Sequence, residues 1–359
     1  MEPDSQPDSE PRQATGQRRI GASRRAFVGG AARMGAALAA TGPVASLLAA
    51  CGAPAGSQLR ATPTTAPTIA PTATPDTRPI TVAITGDIML GRSVGARILS
   101  TSDYYPFNGV ADWLSGFDLT IGNLECVVST LGSPQPKQYT FEAPPVGFER
   151  VAAAGYDIVS VANNHSGDYG KAAFVDMLQH LPGHGLTPVG GGMNLAQAHT
   201  PVIRTLRSTT IGLLAYCGIE PPSFAATVST PGHAWLDATL MASDIRALRP
   251  RVDFLLVFTH WGIEYHTVES IDQEAMARAA IDAGADLVVG AHPHVIQPSG
   301  AYRGKPIVYS LGNFVFDEMY GEVERRGNAL ALTIQGGKLL DWSLRESRIG
   351  DYGAPVWVS

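Results

Sequence analysis

The chain has 359 residues, of which 45% are hydrophobic and 16% charged, so it can build a large globular core. Its formal net charge at pH 7 is -6, which argues against a nucleic-acid-binding surface, because such surfaces are basic. The three cysteines, Cys51, Cys126 and Cys217, are too few for a disulfide framework, and the last two lie in apolar runs typical of buried reduced thiols.

Residues 1–50 have the pattern of an export signal. A polar segment leads to the pair Arg24 and Arg25, then to a Gly/Ala/Leu-rich run whose only charge is Arg33, then to Leu-Ala-Ala-Cys51. A charged region, an apolar region and small residues, in that order, indicate a signal peptide. The arginine pair resembles a twin-arginine signal, and Leu-Ala-Ala-Cys resembles a lipobox, in which Cys51 becomes the acylated first residue. The alternative is an uncleaved spanning helix, against which the glycines and Arg33 argue.

Residues 51–79 are predicted to form a tether after the lipidated cysteine. They are rich in Thr, Pro and Ala, and such a composition cannot build a packed core. A semi-extended tether of this kind holds the following domain off a surface. The expected location is therefore the cell membrane, with the protein lipid-anchored through Cys51 on the extracytoplasmic face.

From residue 80, strand-like runs alternate with helical stretches, which indicates an α/β fold. Strands are predicted at 80–85, 118–121, 157–161, 202–206, 210–216, 252–258, 286–289, 307–310, 330–335 and 339–344. Helices are predicted at 146–154, 171–181, 236–248 and 271–283. Pairs of adjacent strands suggest a mixed sheet or two packed sheets. One domain is expected at 80–347, followed by a C-terminal tail at 348–359.

Side chains that bind metals are concentrated at or just past the predicted strand ends. They are Asp87, Glu125, Asn164, His165, His260, His292 and His294. In an α/β sheet, groups beyond the carboxyl ends of the strands face the ligand crevice. A mixed oxygen and nitrogen set suits Mn, Fe or Zn and is poor for Ca or Cu(I). The set can hold one or two divalent ions, and His292 and His294 either share one ion or bind one each.

Four other polar residues are candidates for roles around that crevice. Asp168 either orients His165 through a hydrogen bond or caps the helix that begins near residue 169. Arg92 and Lys137 either bind an anionic substrate or are ordinary surface charges. Glu264 is expected to line the cleft.

Seven blocks of sequence, in order, form a recognisable pattern. They are Gly86–Arg92, Asn123–Glu125, Tyr139–Pro145, Asn163–Gly170, His260–Tyr265, Gly290–His294 and Ser310–Phe316. These blocks resemble the CapA family of bacterial capsule-synthesis proteins, which are associated with poly-γ-glutamate. That family is similar to the calcineurin-like metallophosphatases. The resemblance implies a metallophosphatase-like two-sheet mixed β-sandwich flanked by helices.

The resemblance also implies roles for individual residues. Asp87 matches the aspartate of the first metal block, Glu125 the bridging carboxylate, and Asn164 the amide ligand. His165 matches the imidazole that assists the leaving group, and the later histidine ligands correspond to His260, His292 and His294. Met89 stands where the phosphatases have a histidine, and Glu125 where they have an aspartate. The first metal, on the His294 side, therefore lacks one ligand.

These features together predict a membrane-anchored, metal-dependent hydrolase-like protein of capsule biosynthesis or export. Activated water would attack a phosphoester or amide, with His165 protonating the leaving group. Two alternatives remain open: a general metallophosphoesterase unrelated to capsule, and a non-catalytic polymer-binding or export component with a vestigial metal site. The expected partners are an anionic polymer or phosphoester substrate, the membrane, and other capsule-synthesis membrane proteins, but no nucleic acid.

Overall fold

The structure is a computed structural model that describes residues 76–101, 105–219, 222–317 and 321–358. The predicted signal peptide, Cys51 and the tether up to residue 75 lie outside the described residues. Within the described ranges, no helix is both long enough and apolar enough to cross a bilayer. Cys126 and Cys217 are buried free thiols, as predicted.

The described residues form strands and helices that alternate along much of the chain. The strands are β1 (Ile80–Ile88), β2 (Leu119–Leu124), β3 (Val127–Val128), β4 (Glu142–Ala143), β5 (Ile158–Ser160), β6 (Thr187–Val189), β7 (Gly191–Gly192), β8 (Val202–Leu206), β9 (Thr209–Cys217), β10 (Gly232–His233), β11 (Phe254–His260), β12 (Leu287–Ala291), β13 (Ser299–Tyr302), β14 (Lys305–Val308), β15 (Asn313–Val315), β16 (Arg326–Gln335), β17 (Lys338–Ile349) and β18 (Pro355–Trp357). The helices are α1 (Arg92–Ser100), α2 (Ala111–Leu114), α3 (Val146–Ala153), α4 (Gly170–His180), α5 (Leu195–Ala198), α6 (Ala238–Leu248) and α7 (Ile271–Ala283).

Most of the strands form two mixed sheets. The first has the order β18-β17-β16-β1-β2-β5-β6, with β15 also paired to β1. In it β1, β2, β5, β6 and β15 are parallel, and β16 to β18 are antiparallel to their neighbours. The second has the order β13-β14-β12-β11-β9-β8, with four parallel central strands and an antiparallel strand at each edge.

The two sheets pack face to face, and helices cover their outer faces. In β11, Phe254, Leu256 and Phe258 point into the apolar layer between the sheets. Leu255 and Val257 alternate with them and pack with residues of α6 and α7. Burial of each side chain of this size contributes roughly 1.5–3 kcal/mol to the stability of the fold. Because β11 is buried on both faces, it is apolar on both. On the other side, α1, α3 and α4 pack over the first sheet. The predicted two-sheet mixed sandwich flanked by helices is confirmed.

Two helix boundaries follow directly from capping residues. The helix predicted at 271–283 has those bounds, because Ser270 and Gln273 form a capping box at its start and Gly284 ends it. The helix predicted at 236–248 begins two residues later, because Asp237 is its N-cap and accepts the N–H groups of residues 239 and 240.

The chain crosses from the second sheet to the first between β14 and β15. The strand predicted at 307–310 is observed as Lys305–Val308, and β15, which the sequence did not predict, pairs with β1. The linking Gly312 has a φ of 70°, and its carbonyl oxygen accepts the N–H of Asp87 at 3.2 Å. A Cβ at Gly86 would lie 1.9 Å from that oxygen, so only glycine fits there. This crossing places Asn313 beside Asp87.

The domain extends past the boundary predicted at residue 347. The predicted tail is wrong for residues 348–358, because β17 continues to Ile349 and β18 pairs with it. The Trp357 ring packs against Trp113 with 4.8 Å between centroids. Gly350 and Gly353 interrupt the sequence before β18, and β18 itself is too short to show a periodicity. No local pattern therefore indicated this strand.

The domain also begins before residue 80. The Ser208 N–H donates to the Asp76 carbonyl oxygen at 3.0 Å, and the Gln335 side chain donates to the Thr77 carbonyl at 2.8 Å. The last four residues of the predicted tether, 76–79, are therefore attached to the domain.

Candidate metal centre

The side chains that follow parallel strands of both sheets meet at one place. Asp87 is near the end of β1, Asn123 is in β2, and His260 ends β11. Glu125 follows β2 by one residue, and His292 follows β12 by one residue. All five are buried. The carboxyl ends of the strands thus bring together groups from both halves of the sandwich, where α/β proteins bind ligands.

The Asn123 amide joins Asp87 to His260. Its Nδ2 donates to Asp87 Oδ1 at 2.8 Å and lies 3.2 Å from His260 Nδ1. Nδ1 of His260 is thus in contact with the Asn123 amide, and Nε2 faces the other candidate ligands. The Asn123 carbonyl oxygen accepts from Asn163 Nδ2 at 3.2 Å. Protein groups thus fix the His260 ring orientation.

Nε2 of His260 lies close to three more candidate ligands. Asn164 Oδ1 is 2.7 Å away, His292 Nδ1 is 3.1 Å away, and Glu125 Oε1 is 3.4 Å away. These four side chains are among the ligands predicted from the sequence. Their proximity allows a single cation to contact all of them.

His294 lies on another side of Glu125, next to Asp87. Its Nδ1 donates to Asn313 Oδ1 at 2.9 Å and is 3.5 Å from Asp87 Oδ2. Its Nε2 is 3.9 Å from Glu125 Oε1. Metal-binding histidines usually donate one ring N–H to an oxygen, which fixes the tautomer and leaves the other nitrogen for the metal. Asn313 holds His294 in this way.

The backbone is strained at both His292 and His294. Their φ angles are 97° and 59°, in the left-handed region that favours glycine. Each such residue costs on the order of 1–3 kcal/mol, and such strain clusters at functional sites. The His292 N–H donates to Asp87 Oδ2 at 3.2 Å, which ties this loop to β1.

Glu125 is the group that points most directly to a bound cation. It is 0% exposed, and neither carboxylate oxygen has a hydrogen-bond partner within the described part of the chain. Burial raises its pKa well above the usual range, and the charge of the Asp87 carboxylate raises it further. Its Oε1 lies 3.4–3.9 Å from ring nitrogens of His260, His294 and His165. A divalent cation among these groups would compensate the buried charge, so the residues fit a metal.

The pKa shifts at His260 and His292 favour neutral imidazoles, the form that binds metals. Burial lowers the pKa of His260 to about 3 and the pKa of His292 well below its usual value. Burial alone would also lower the pKa of His294, but Asp87 and Asn313 raise it above the usual value. Together with the carboxylates and the Asn164 amide, the imidazoles form a donor set that fits a divalent metal.

His165 and Asp168 form a second polar unit beside Glu125. His165 Nδ1 donates to Asp168 Oδ2 at 2.6 Å, and its Nε2 is 3.9 Å from Glu125 Oε1. Asp168 also accepts from Lys137 Nζ and from the Phe141 N–H, each at 2.7 Å. Burial lowers the pKa of His165 to about 4. Asp168 therefore orients His165; it does not cap α4, for which the described residues provide no side-chain cap.

The residues predicted to contact substrate surround this centre. Arg92 Nε is 3.3 Å from Asp317 Oδ1, and its guanidinium lies over the Phe141 ring at 5.5 Å. That ring stacks on His165 with 3.9 Å between centroids. Lys137 contacts Asp168, as described above. Glu264 follows β11 and is exposed. Its charge raises the pKa of the buried Glu125.

Met89 occupies the position where a histidine was expected from the family pattern. It is 0% exposed and belongs to an apolar cluster that includes Phe141 and Phe316. Its Sδ accepts the Gly91 N–H at 3.1 Å. A thioether is a soft ligand that suits Cu(I) better than Mn, Fe or Zn. The His294 side of the centre therefore lacks the nitrogen ligand that a histidine would supply.

Two asparagines at the centre were not predicted as site residues. Asn123 bridges Asp87 and His260, and Asn313 orients His294. Both lie at strand ends and within the seven sequence blocks, which were the signals in the sequence. Their partners could not be predicted, since Asn123 and His260 are 137 residues apart.

Comparison with known proteins places the chain in a family. Residues 81–318 match the family model described as "Bacterial capsule synthesis protein PGA_cap". The chain is 33% identical over 245 residues to the capsule biosynthesis protein CapA of Bacillus anthracis, covering 66% of this chain and 60% of that protein. It is 32% identical over 251 residues to the PGA biosynthesis protein CapA of Bacillus subtilis (strain 168), covering 69% of this chain and 66% of that protein. The matched part therefore spans less than two thirds of either relative's length. A solved phosphatase structure from Mycoplasma pneumoniae has 14% identity and a TM-score of 0.48, covering 76% of this chain and 94% of that one.

Proposed function

The chain belongs to the bacterial capsule synthesis protein PGA_cap family, as its seven motif blocks predicted, and we propose that it is a metal-dependent hydrolase of poly-γ-glutamate capsule biosynthesis or export. Its substrate is an anionic polymer or a phosphoester, and the bond that it cleaves is an amide or a phosphoester. The observation that carries the proposal is the buried carboxylate of Glu125, whose oxygens have no hydrogen-bond partner among the described residues.

The metal ligands in this proposal are Asp87, Glu125, Asn164, His260, His292 and His294. A divalent ion held by them supplies Lewis acidity for activating a water and for stabilising charge on the attacked group. The protein fixes the ligands in advance, because Asn123 and Asn313 hold two of the imidazoles by hydrogen bonds. Such preorganisation reduces the reorganisation needed during the reaction.

In this proposal, His165 protonates the leaving group. Its Nδ1–H is held by Asp168, so Nε2 is the nitrogen that exchanges a proton on the side of the metal ligands. Lys137 in turn holds Asp168 by an ion pair. Positioned proton transfer of this type contributes roughly 100- to 10,000-fold to a rate.

We expect Asp168→Asn to lower the rate of hydrolysis about 100-fold or more while metal content stays unchanged. An amide at this position no longer holds the His165 ring with its proton on Nδ1 and with Nε2 facing the metal ligands. The measurement is kcat on bis-p-nitrophenyl phosphate, with metal content determined on the same sample. Asp272→Asn, on the exposed start of α7, is the control. A loss of metal as large as the loss of rate would contradict a positioning role.

We further propose that the protein is lipid-anchored on the extracytoplasmic face of the cell membrane. The sequence of residues 1–51 supports this, although these residues lie outside the described part. An anchor and tether would place the domain where an exported polymer emerges, beside other membrane proteins of capsule synthesis. Membrane fractionation tests this proposal, and Cys51→Ser should move the protein to the soluble fraction.

The catalytic proposal is tested with purified protein that is stripped by a chelator and reloaded with Mn2+, Fe2+ or Zn2+. We expect at least one ion to bind and to restore cleavage of poly-γ-glutamate or of phosphoesters. Cleavage of phosphoesters alone would indicate a general phosphoesterase. Binding of polyglutamate without any hydrolysis would indicate a non-catalytic component, an alternative that the methionine at position 89 favours.

A further inference from the structure

A cavity of about 790 Å3 opens beside the metal centre. Its wall includes Asn164 and Asp168, so it adjoins both the metal ligands and the His165 unit. The rest of the wall includes Lys137, Lys171, Ile219, Phe224 and His233. This volume is within the usual range of ligand pockets.

Lys171 gives one wall of this cavity a positive charge. Lys137 is already paired with Asp168 at 2.7 Å. Lys171 is exposed and has no ion pair among the described residues. It is the second residue of α4, an 11-residue helix with no acidic residue in its first turn and no side-chain cap at its N-terminus within the described ranges. The N-terminus of a helix stabilises anions and not cations, so Lys171 and the α4 terminus together favour an anionic ligand.

His233 adds a buried polar group that needs a partner. It is 3% exposed, and its Nδ1 has no hydrogen-bond partner among the described residues. Burial lowers its pKa to about 4, so the ring is neutral. An unsatisfied buried nitrogen costs roughly 1–3 kcal/mol. A ligand in the cavity that hydrogen-bonds to this nitrogen would remove that cost. His233 lies outside the seven sequence blocks, so no motif had indicated it.

Apolar side chains lie between these polar groups. Phe224 packs edge-on against the fully buried Phe174, with 5.2 Å between ring centroids, and lies 6.1 Å from the His233 ring. Ile219 lines the same cavity. The wall therefore combines a cation, apolar surface and a hydrogen-bonding group.

On the premise of the proposed function, we infer that this cavity binds the γ-glutamyl units next to the bond that is cleaved. Each unit of such a chain has a carboxylate, an amide and a short run of methylene groups. Lys171 and the α4 terminus receive a carboxylate. Phe224 and Ile219 contact the methylenes, and His233 hydrogen-bonds an amide. The cavity thereby selects an extended chain of carboxylates over a single phosphate.

The test measures binding of γ-linked pentaglutamate and γ-linked diglutamate to the metal-loaded full-length protein by calorimetry. We expect Lys171→Met and His233→Phe each to raise the Kd for pentaglutamate about tenfold, the effect of losing one charged or buried polar contact. Diglutamate, too short to fill the cavity, should bind unchanged. Lys171→Arg should retain affinity. Lys338→Met, at an exposed lysine that begins β17, is the matched control.

The outcomes separate this inference from the proposed function. If wild-type protein binds pentaglutamate and both variants bind it equally well, the cavity is not the subsite, while the proposed function stands. If metal-loaded wild-type protein binds neither oligomer, the proposed polyglutamate substrate fails together with the subsite. Because His233 is buried, Lys171→Met alone decides the question should the His233 variant not fold.

Discussion

Glu125→Gln is expected to abolish metal binding and hydrolysis, and at the same time to stabilise the metal-free protein. The carboxylate is fully buried and none of the described residues hydrogen-bonds to it. Removing a costly buried acidic group should raise the free energy of unfolding of the metal-free form by about 1–3 kcal/mol. A neutral amide cannot replace the bridging charge, so stabilisation by added metal should disappear.

This opposite pair of effects is measured by thermal unfolding with and without Mn2+ or Zn2+. Glu149→Gln, an exposed glutamate in α3, serves as the matched control and should leave both values unchanged. A variant that loses stability in the metal-free form and still binds metal would show that Glu125 has only a structural role. It would remove the main support for the metal centre.

His260→Ala is expected to lower metal affinity at least about 100-fold, whereas His294→Ala should lower it by much less. Loss of a group that only orients a ligand typically costs 10- to 100-fold, so loss of the ligand itself should exceed that. His260 lies within 3.4 Å of Asn164, His292 and Glu125. His294 is on the side where Met89 replaces a nitrogen ligand, so an ion there should be bound weakly or absent.

Metal stoichiometry and chelator competition measure the difference between the two histidine variants. His266→Ala, an exposed histidine close in sequence to the site, is the control. Wild-type protein should hold about one tightly bound ion per chain, because only the His260 side has a full donor set. Two ions of equal affinity in wild-type protein, or equal losses in both variants, would contradict this asymmetry.

Local sequence signals accounted for the layers of the fold and the identity of most site groups. The apolar run of β11 and the capping residues around α7 depend on neighbours in sequence, and both were predicted close to their observed bounds. The short strands β15 and β18 were missed, because three residues are too few to show a periodicity. The tail boundary at 347 was wrong for the same reason.

The sequence by itself determined which side chains lie at strand ends, since parallel strands place their carboxyl ends at one edge. It could not determine how those side chains contact one another. The bridge from Asn123 to His260 spans both sheets, and Asn313 reaches the site only because the chain crosses between sheets at Gly312. The unpartnered oxygens of Glu125 and the cavity at His233 likewise arise from packing between distant segments. Such contacts depend on sheet pairing and side-chain packing between residues that are far apart in sequence. Local propensities cannot predict them.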